Sequence, residues 1–173
     1  SPVVVGRLEE ALKRGVDVTF LVPGVPHPDM TVARKSPASG PFFEQIARLG
    51  QYENFLLAGI AGNKPDGGYH DIYVHAKIAL IDDAWATIGS TNIANRSFYR
   101  DTELNASFWH PETVRALRVE LLEEHLGEDT GRLDARDAMR RYREAARDNA
   151  ARRRAGAPLQ GLAHALDPGA YGL

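Results

Sequence analysis

Residues 73–105 read YVHAKIALIDDAWATIGSTNIANRSFYRDTELN, and three strands are legible in or at the edge of this stretch. The most apolar part, 73–81, reads as one strand, 85–88 returns as a second, and 102–108 is a third. Strand side chains alternate between two faces, so His75 and Lys77 share a face, roughly 6.6 Å apart along the chain. Val74, Ala76, Ile78 and Leu80 occupy the opposite face, while Ala79 and Ile81 continue the first. A strand apolar on both sides is expected to be central and buried on both faces. An ammonium there is costly unless an anion meets it.

The return strand brings further polar groups beside this pair. Asp82 and Asp83 read as a two-residue turn, which places Ser90 opposite His75. A longer loop instead places Asn92 opposite His75 and Ser90 opposite Lys77. In both registers Gly89, Ser90 and Asn92 return beside the His-Lys pair. Gly89 would let the backbone approach a ligand closely, and a hydroxyl and an amide can donate to phosphate oxygens.

Working outward, Ser1-Pro2 reads as an N-cap and first helical position, and Gly15 stops the helix. A strand follows over 16–22, with Val16, Val18, Phe20 and Val22 alternating. Residues 23–41, rich in Pro, Gly and Ser, read as a long loop expected to overhang the site and set its selectivity. A short helix over 41–49 ends at Gly50, a strand covers 54–58, and 62–68 (GNKPDGG) is a turn. Helices are expected over 111–126, stopped by Gly127, and over 133–154, where Arg is abundant. The last residues read as a loose tail. This order implies an α/β fold, a mixed β-sheet flanked by helices with a C-terminal helical extension. Residues 1–130 form the half-domain that carries the site, and 131–173 form the Arg-rich helix and tail.

The chain has 173 residues, 43% hydrophobic and 25% charged, the composition of an ordinary globular domain. No cysteine is present, so disulfides and thiolate-ligated metals are excluded. No apolar run approaches the ~18 residues of a transmembrane helix. Before residue 132 there are 12 Lys and Arg against 18 Asp and Glu, and from there on 9 against 5. An acidic site-bearing part is poorly suited to non-specific nucleic-acid binding, whose affinity comes from Lys and Arg. The Arg-rich helix reads as a solvated face with internal ion pairs, with attraction to anionic lipid as the alternative. Trp85 and Trp109 read as core or rim residues.

The pattern His75-x-Lys77-x4-Asp82-x6-Gly89-Ser90-x-Asn92 resembles the HKD signature of the phospholipase D superfamily, and Asn95-Arg96-Ser97 and Glu103 resemble its downstream pattern. The likeness runs from about residue 3 to residue 126 and is strongest to the C-terminal half of two-motif phospholipase D and cardiolipin synthase-type enzymes. The resemblance implies that His75 is the nucleophile at a phosphodiester phosphorus, forming a covalent phosphohistidine that water or an alcohol resolves. A neutral imidazole nitrogen is competent when its other nitrogen is held in the right tautomer. Glu103 resembles the acid that does this holding. Lys77 and Asn92 would bind the non-bridging oxygens, Ser90 is a further phosphate-binding candidate, and Asp82 and Gly89 are motif residues with structural roles. No cofactor and no metal are implied.

The family's site uses two HxK motifs, one histidine as nucleophile and the other as general acid. This chain has one: His27, His70, His110, His125 and His164 are each followed two positions later by a residue other than Lys. The expected partner is therefore a second HKD motif, from an N-terminal half of the same protein or from a homodimer mate. The start at Ser1 without Met favours the omitted half. The expected substrate is a phospholipid and the expected location cytoplasmic, peripheral to a membrane. A homodimeric nuclease and a non-catalytic partner half remain the alternatives.

Overall fold

A computed structural model of the chain describes residues 2–173. Helix α1 (Pro2–Lys13) leads into β1 (Val18–Leu21), and α2 (Pro28–Lys35) and α3 (Gly40–Leu49) precede β2 (Phe55–Asn63). Strand β3 (Tyr69–Ile72) is followed by a hairpin of β4 (Ile78–Ile81) and β5 (Trp85–Gly89). Short α4 (Asn95–Tyr99), β6 (Asn105–Trp109), α5 (Pro111–Leu126), α6 (Ala135–Arg154) and β7 (Ala163–Ala165) complete the chain.

The layers meet at β2, whose residues 55–61 are all buried. Leu56, Ala58 and Ile60 pack against Leu122 and Leu126 of α5 and Ala138, Tyr142 and Ala146 of α6. Phe55 and Leu57 face the other way, onto Val5 and Leu12 of α1 and Leu49 of α3. Period-two alternation thus feeds two cores from one strand, giving helices on both faces of a mixed sheet. Full burial of each large apolar side chain is worth about 1.5–3 kcal/mol. Ala58 pairs with both Leu21 and Ala165, and Ile60 with both Ile72 and Ala163. So β1 and β3 lie in succession along one edge of β2, parallel and antiparallel to it respectively, and β7 lies antiparallel along the other.

The helix boundaries follow their signals. Gly15 (φ +83°) and Gly127 (φ +70°) take the left-handed backbone that ends α1 and α5. The Asp134 carboxylate accepts from the Asp137 amide 2.8 Å away and starts α6.

Several expectations are corrected. Part of the segment 23–41 folds as α2, started by His27, whose Nδ1 accepts from the Asp29 amide, and by Pro28 in the first turn. Arg34 donates to the carbonyl oxygens of Tyr171 and Gly169, so the C-terminal residues hold α2 in place. The tail is not loose. Its β7 joins the sheet, and Ala163 and His164 are buried, with His164 against Arg153 of α6 (2.8 Å). The strand expected over 73–81 is paired only at 78–81, while β3 and α4 are additional elements. Nor is β4 central. It is the edge of a separate three-stranded sheet ordered β4-β5-β6, and Ile78 and Ile81 are exposed. One face of that sheet buries Ala86, from β5, which packs on α5. The other leaves Trp109 78% exposed, tilted against Trp85.

Candidate phosphodiester-binding cleft

His75 and Lys77 lie on the segment that crosses from β3 in the first sheet to β4 in the second. The Tyr73 ring stacks on the His75 imidazole, with centroids 6.1 Å apart and planes 24° apart. The Lys77 ammonium turns back to donate to the His75 carbonyl oxygen at 2.7 Å. The Gly89 amide donates to the Lys77 carbonyl at 3.1 Å and carries the β4–β5 ladder one step beyond the paired strand.

The register differs from both expected registers. Ile81 pairs with Trp85, so Asp82, Asp83 and Ala84 form a three-residue loop, and Ile78 pairs with Ile88. Asp82 and Asp83 do occupy the turn, each with φ +53°. The additional Ala84 shifts the return strand, so Lys77 meets Gly89. Ser90 and Asn92 enter the cleft from the loop beyond β5 rather than from ladder positions opposite His75 or Lys77.

The result is an open cleft of about 770 Å³ lined by His75, Lys77, Gly89, Ser90, Asn92, Arg100, Asp101, Thr102 and Glu103. Six of the seven residues singled out in the sequence line it. Asp82 is the exception, lying at the far end of β4, roughly 16 Å along the strand from Lys77. The anchoring carboxylate at the turn is Asp83, which forms a bidentate pair with the buried Arg118 of α5 (2.8 and 2.7 Å).

Glu103 accepts a 2.5 Å hydrogen bond from the Ser90 hydroxyl, which in turn accepts from the Leu104 amide at 3.1 Å. The Ser90 hydroxyl, and after it the Ser97 hydroxyl, holds the Glu103 carboxyl below its ordinary value. Glu103 is therefore a carboxylate clamped to Ser90, on the same cleft as His75. Ser97, nearly buried, also accepts from the Asn92 amide at 3.2 Å and shapes the loop that presents the Asn92 side chain. The requirement for glycine at position 89 comes from the neighbouring strand. A Cβ there would sit 1.9 Å from Asn105 Oδ1 and 2.3 Å from the Leu104 carbonyl oxygen.

Arg100, Asp101 and Thr102 were not legible as cleft residues. The only signal was a charged Arg-Asp pair just before a strand. Asp101 is engaged by Arg96 at 2.8 Å. The remaining histidines sit elsewhere: His27 and His110 start helices, His70 lies on β3 opposite Gly62, His125 meets Tyr142 in the core, and His164 meets Arg153. One imidazole, an ammonium, an amide and a clamped carboxylate together can bind and attack a phosphoryl centre.

Fold and cleft define a layered α/β domain in which, among the described residues, one histidine-lysine pair lines an open cleft. Residues 1–125 match the family described as "Cardiolipin synthase, PLD-like domain", and the chain belongs to the phospholipase D superfamily. It is similar to a cardiolipin synthase of Geobacillus sp., 29% identical over 117 residues, covering 68% of this chain and 20% of that protein. It is also similar to cardiolipin synthase 2 of Staphylococcus epidermidis, 32% identical over 104 residues, covering 60% and 18%. Phospholipase D zeta 1 of Arabidopsis thaliana is 38% identical over 80 residues, covering 36% and 7%. The chain thus spans a fifth or less of the length of these relatives.

Proposed function

We propose that the chain is one half of a phosphodiesterase or phosphatidyltransferase site acting on phospholipids. The observation that carries this reading is the convergence of His75, Lys77, Ser90, Asn92 and Glu103 on one open cleft. An imidazole nitrogen of His75 attacks phosphorus, a P–N bond forms, and the bond to the leaving alkoxide breaks. The alkoxide takes its proton from a general acid on a second HKD motif, since the cleft lining contains one histidine among the described residues. Water or an alcohol then attacks phosphorus, the P–N bond breaks and the imidazole is regenerated. Lys77 leaves the His75 carbonyl to meet a non-bridging oxygen, and Asn92 donates to the other. The Glu103 carboxylate, released from Ser90, orients the imidazole.

Exposed apolar side chains favour lipid over nucleic acid. Ile93, Tyr99 and Leu104, chain neighbours of lining residues, are 56%, 71% and 83% exposed, apolar surface that suits acyl chains.

The test is covalent trapping. The chain, with its second-motif half, is incubated with phosphatidylglycerol labelled in the phosphorus and quenched in base, where a P–N bond survives. Label on His75 that is lost in acid and absent in His75→Gln is expected. Turnover without such label, or label retained by His75→Gln, overturns the mechanism. Equal turnover of single-stranded DNA overturns the lipid assignment.

A further inference from the structure

Resting on that reading, we propose that Arg153 is a positioning residue for His75. It acts through Asp71, fixing the end of β3 from which the His75 segment departs, so that the C-terminal residues govern the alignment of the attacking imidazole. The family match covers residues 1–125, and Arg153 and His164 lie beyond it.

The clamp is built into the sheet. Asp71 on β3 pairs with Ala61 of β2, and His164 on β7 pairs with Gly59. Residues two apart on a strand share a face, so Asp71 and His164 stand on one face of the sheet, on either side of β2. Two strand spacings, about 9.6 Å, separate β3 from β7, yet Asp71 Oδ1 and His164 Nε2 come within 3.5 Å. They meet because the β2 residues between them are small. A Cβ at Gly59 would sit 3.2 Å from His164 Cε1 and 2.8 Å from the Gly24 Cα, and a Cβ at Gly24 would sit 2.5 Å from Asp71 Oδ1.

Arg153 of α6 closes this cluster. Its Nη1 and Nη2 donate to the two Asp71 oxygens at 2.7 and 2.8 Å, and Nη1 is also 2.8 Å from His164 Nε2. A guanidinium only donates, so the imidazole nitrogen accepts. A fork on a carboxylate fixes direction as well as distance. The guanidinium also lies over the Tyr69 ring at 5.1 Å, and the Tyr69 hydroxyl donates to the Ala157 carbonyl oxygen at 2.8 Å. Strand β3 is thus tied to α6 and the residues after it at positions 69 and 71.

The ladder alone holds β3 weakly. It has four residues, and β2 is its one strand partner. Pairing stops at Ile72 and resumes where the Gly89 amide meets the Lys77 carbonyl oxygen, so His75 lies in the middle of the crossing between the sheets. Tyr73, whose ring stacks on the His75 imidazole, follows Asp71 by two residues. A shift at Asp71 therefore carries both rings, and a misplacement of about 1 Å can cost on the order of 10²-fold in rate.

The test separates position from stability. Hydrogen exchange on the 173-residue chain reads the segment without any turnover. In Arg153→Met the amides of β3 and the Gly89 amide are expected to lose protection about tenfold, equal to about 1.4 kcal/mol, while the amides of β6 do not change. Turnover of phosphatidylglycerol is then measured with the second-motif half present. Arg153→Met should lower kcat by about tenfold or more and leave KM within about twofold. Arg153→Lys, which keeps the charge without the fork, should recover part of the loss. Asp71→Leu combined with Arg153→Met removes both charges, so the melting temperature should return toward that of the unaltered protein while kcat stays low. Recovery of kcat together with melting temperature, a change confined to KM, or unchanged exchange in β3 of Arg153→Met overturns the proposal. Turnover without label on His75 removes the reading of His75 as nucleophile instead, and the exchange result still decides whether Arg153 holds β3.

Discussion

Replacing Asp83 by Asn should destabilise the protein far more than the same change at Asp82, although Asp82 is the residue the motif marks. Arg118 is 3% exposed and its guanidinium makes two hydrogen bonds to the Asp83 carboxylate and one, at 3.2 Å, to the Leu133 carbonyl oxygen. Its Nη1 is buried with no partner. Neutralising Asp83 leaves an uncompensated charge in a site already short of acceptors, and breaking a buried pair in this way costs about 3–5 kcal/mol. Asparagine tolerates the positive φ of this position, so the loss reports the charge rather than the turn. Against a total stability of about 5–15 kcal/mol, and with about 2–4 °C per kcal/mol at this size, Tm should fall by about 6–20 °C. Asp82 is exposed at the same turn and its ion pair is absent, so Asp82→Asn should stay within about 0.5 kcal/mol.

The assay is thermal and urea unfolding of both variants, with the urea m-value held as a check on the denatured state. The difference should persist in high salt, because buried pairs are weakly screened. Arg118→Met added to Asp83→Asn should recover part of the loss by removing the orphaned charge. Equal melting temperatures for the two single variants, or a larger drop for Asp82→Asn, would refute the reasoning and return the anchoring role to Asp82.

Three further outcomes follow from the geometry. Gly89→Ala should cost about 1–3 kcal/mol, since the added Cβ meets a backbone carbonyl that cannot turn away, and it should abolish the labelling of His75; unaltered stability and labelling would contradict this. Acidification should destabilise the fold. Burial holds His125 and His164 below their ordinary value of 6.5, and at His164 the Arg153 guanidinium adds to it. The unfolded chain therefore binds more protons in this window, so their contribution is complete above about pH 6.5 and is lost as pH falls through the lower folded values. The Arg153 ion pair likewise depresses Asp71 below 3.8, which extends the loss into stronger acid. Urea midpoints from pH 8 to 5 measure the histidine part. His164→Gln should flatten the slope, and a midpoint that rises on acidification would contradict the sign. Ser90→Ala should return the Glu103 carboxyl upward toward 4.5, readable by carbon NMR, because the Ser90 hydrogen bond is the leading cause of its depression.

What could be read in advance divides by the range of the interaction. The helices α1, α3, α5 and α6 were legible because Pro, Asp and Gly at their ends act within one turn. Helix α2 carried the same signs in His27-Pro28-Asp29, but it has eight residues and buries none of them. Its stability comes from Arg34 reaching carbonyl oxygens at residues 169 and 171, a contact no local pattern announces. Strand β7 has three residues and exists because β2 offers it a free edge.

The sequence alone pointed to one imidazole, one ammonium, a hydroxyl, an amide and a carboxylate as neighbours, and these groups do line a single cleft. Their spacings are short, and strand alternation and a hairpin return act over neighbouring residues. Only the tertiary structure decided the offset between the strands, because Ala84 adds a residue to the turn that alternation cannot detect. It also decided that Asp83 rather than Asp82 meets Arg118, that Glu103 is clamped by Ser90, that Asn105 imposes the glycine at 89, and that Arg100 enters the cleft. Each of these depends on which residues of separate elements come to lie side by side. Spacing within one element assigns faces, and the packing between elements assigns partners.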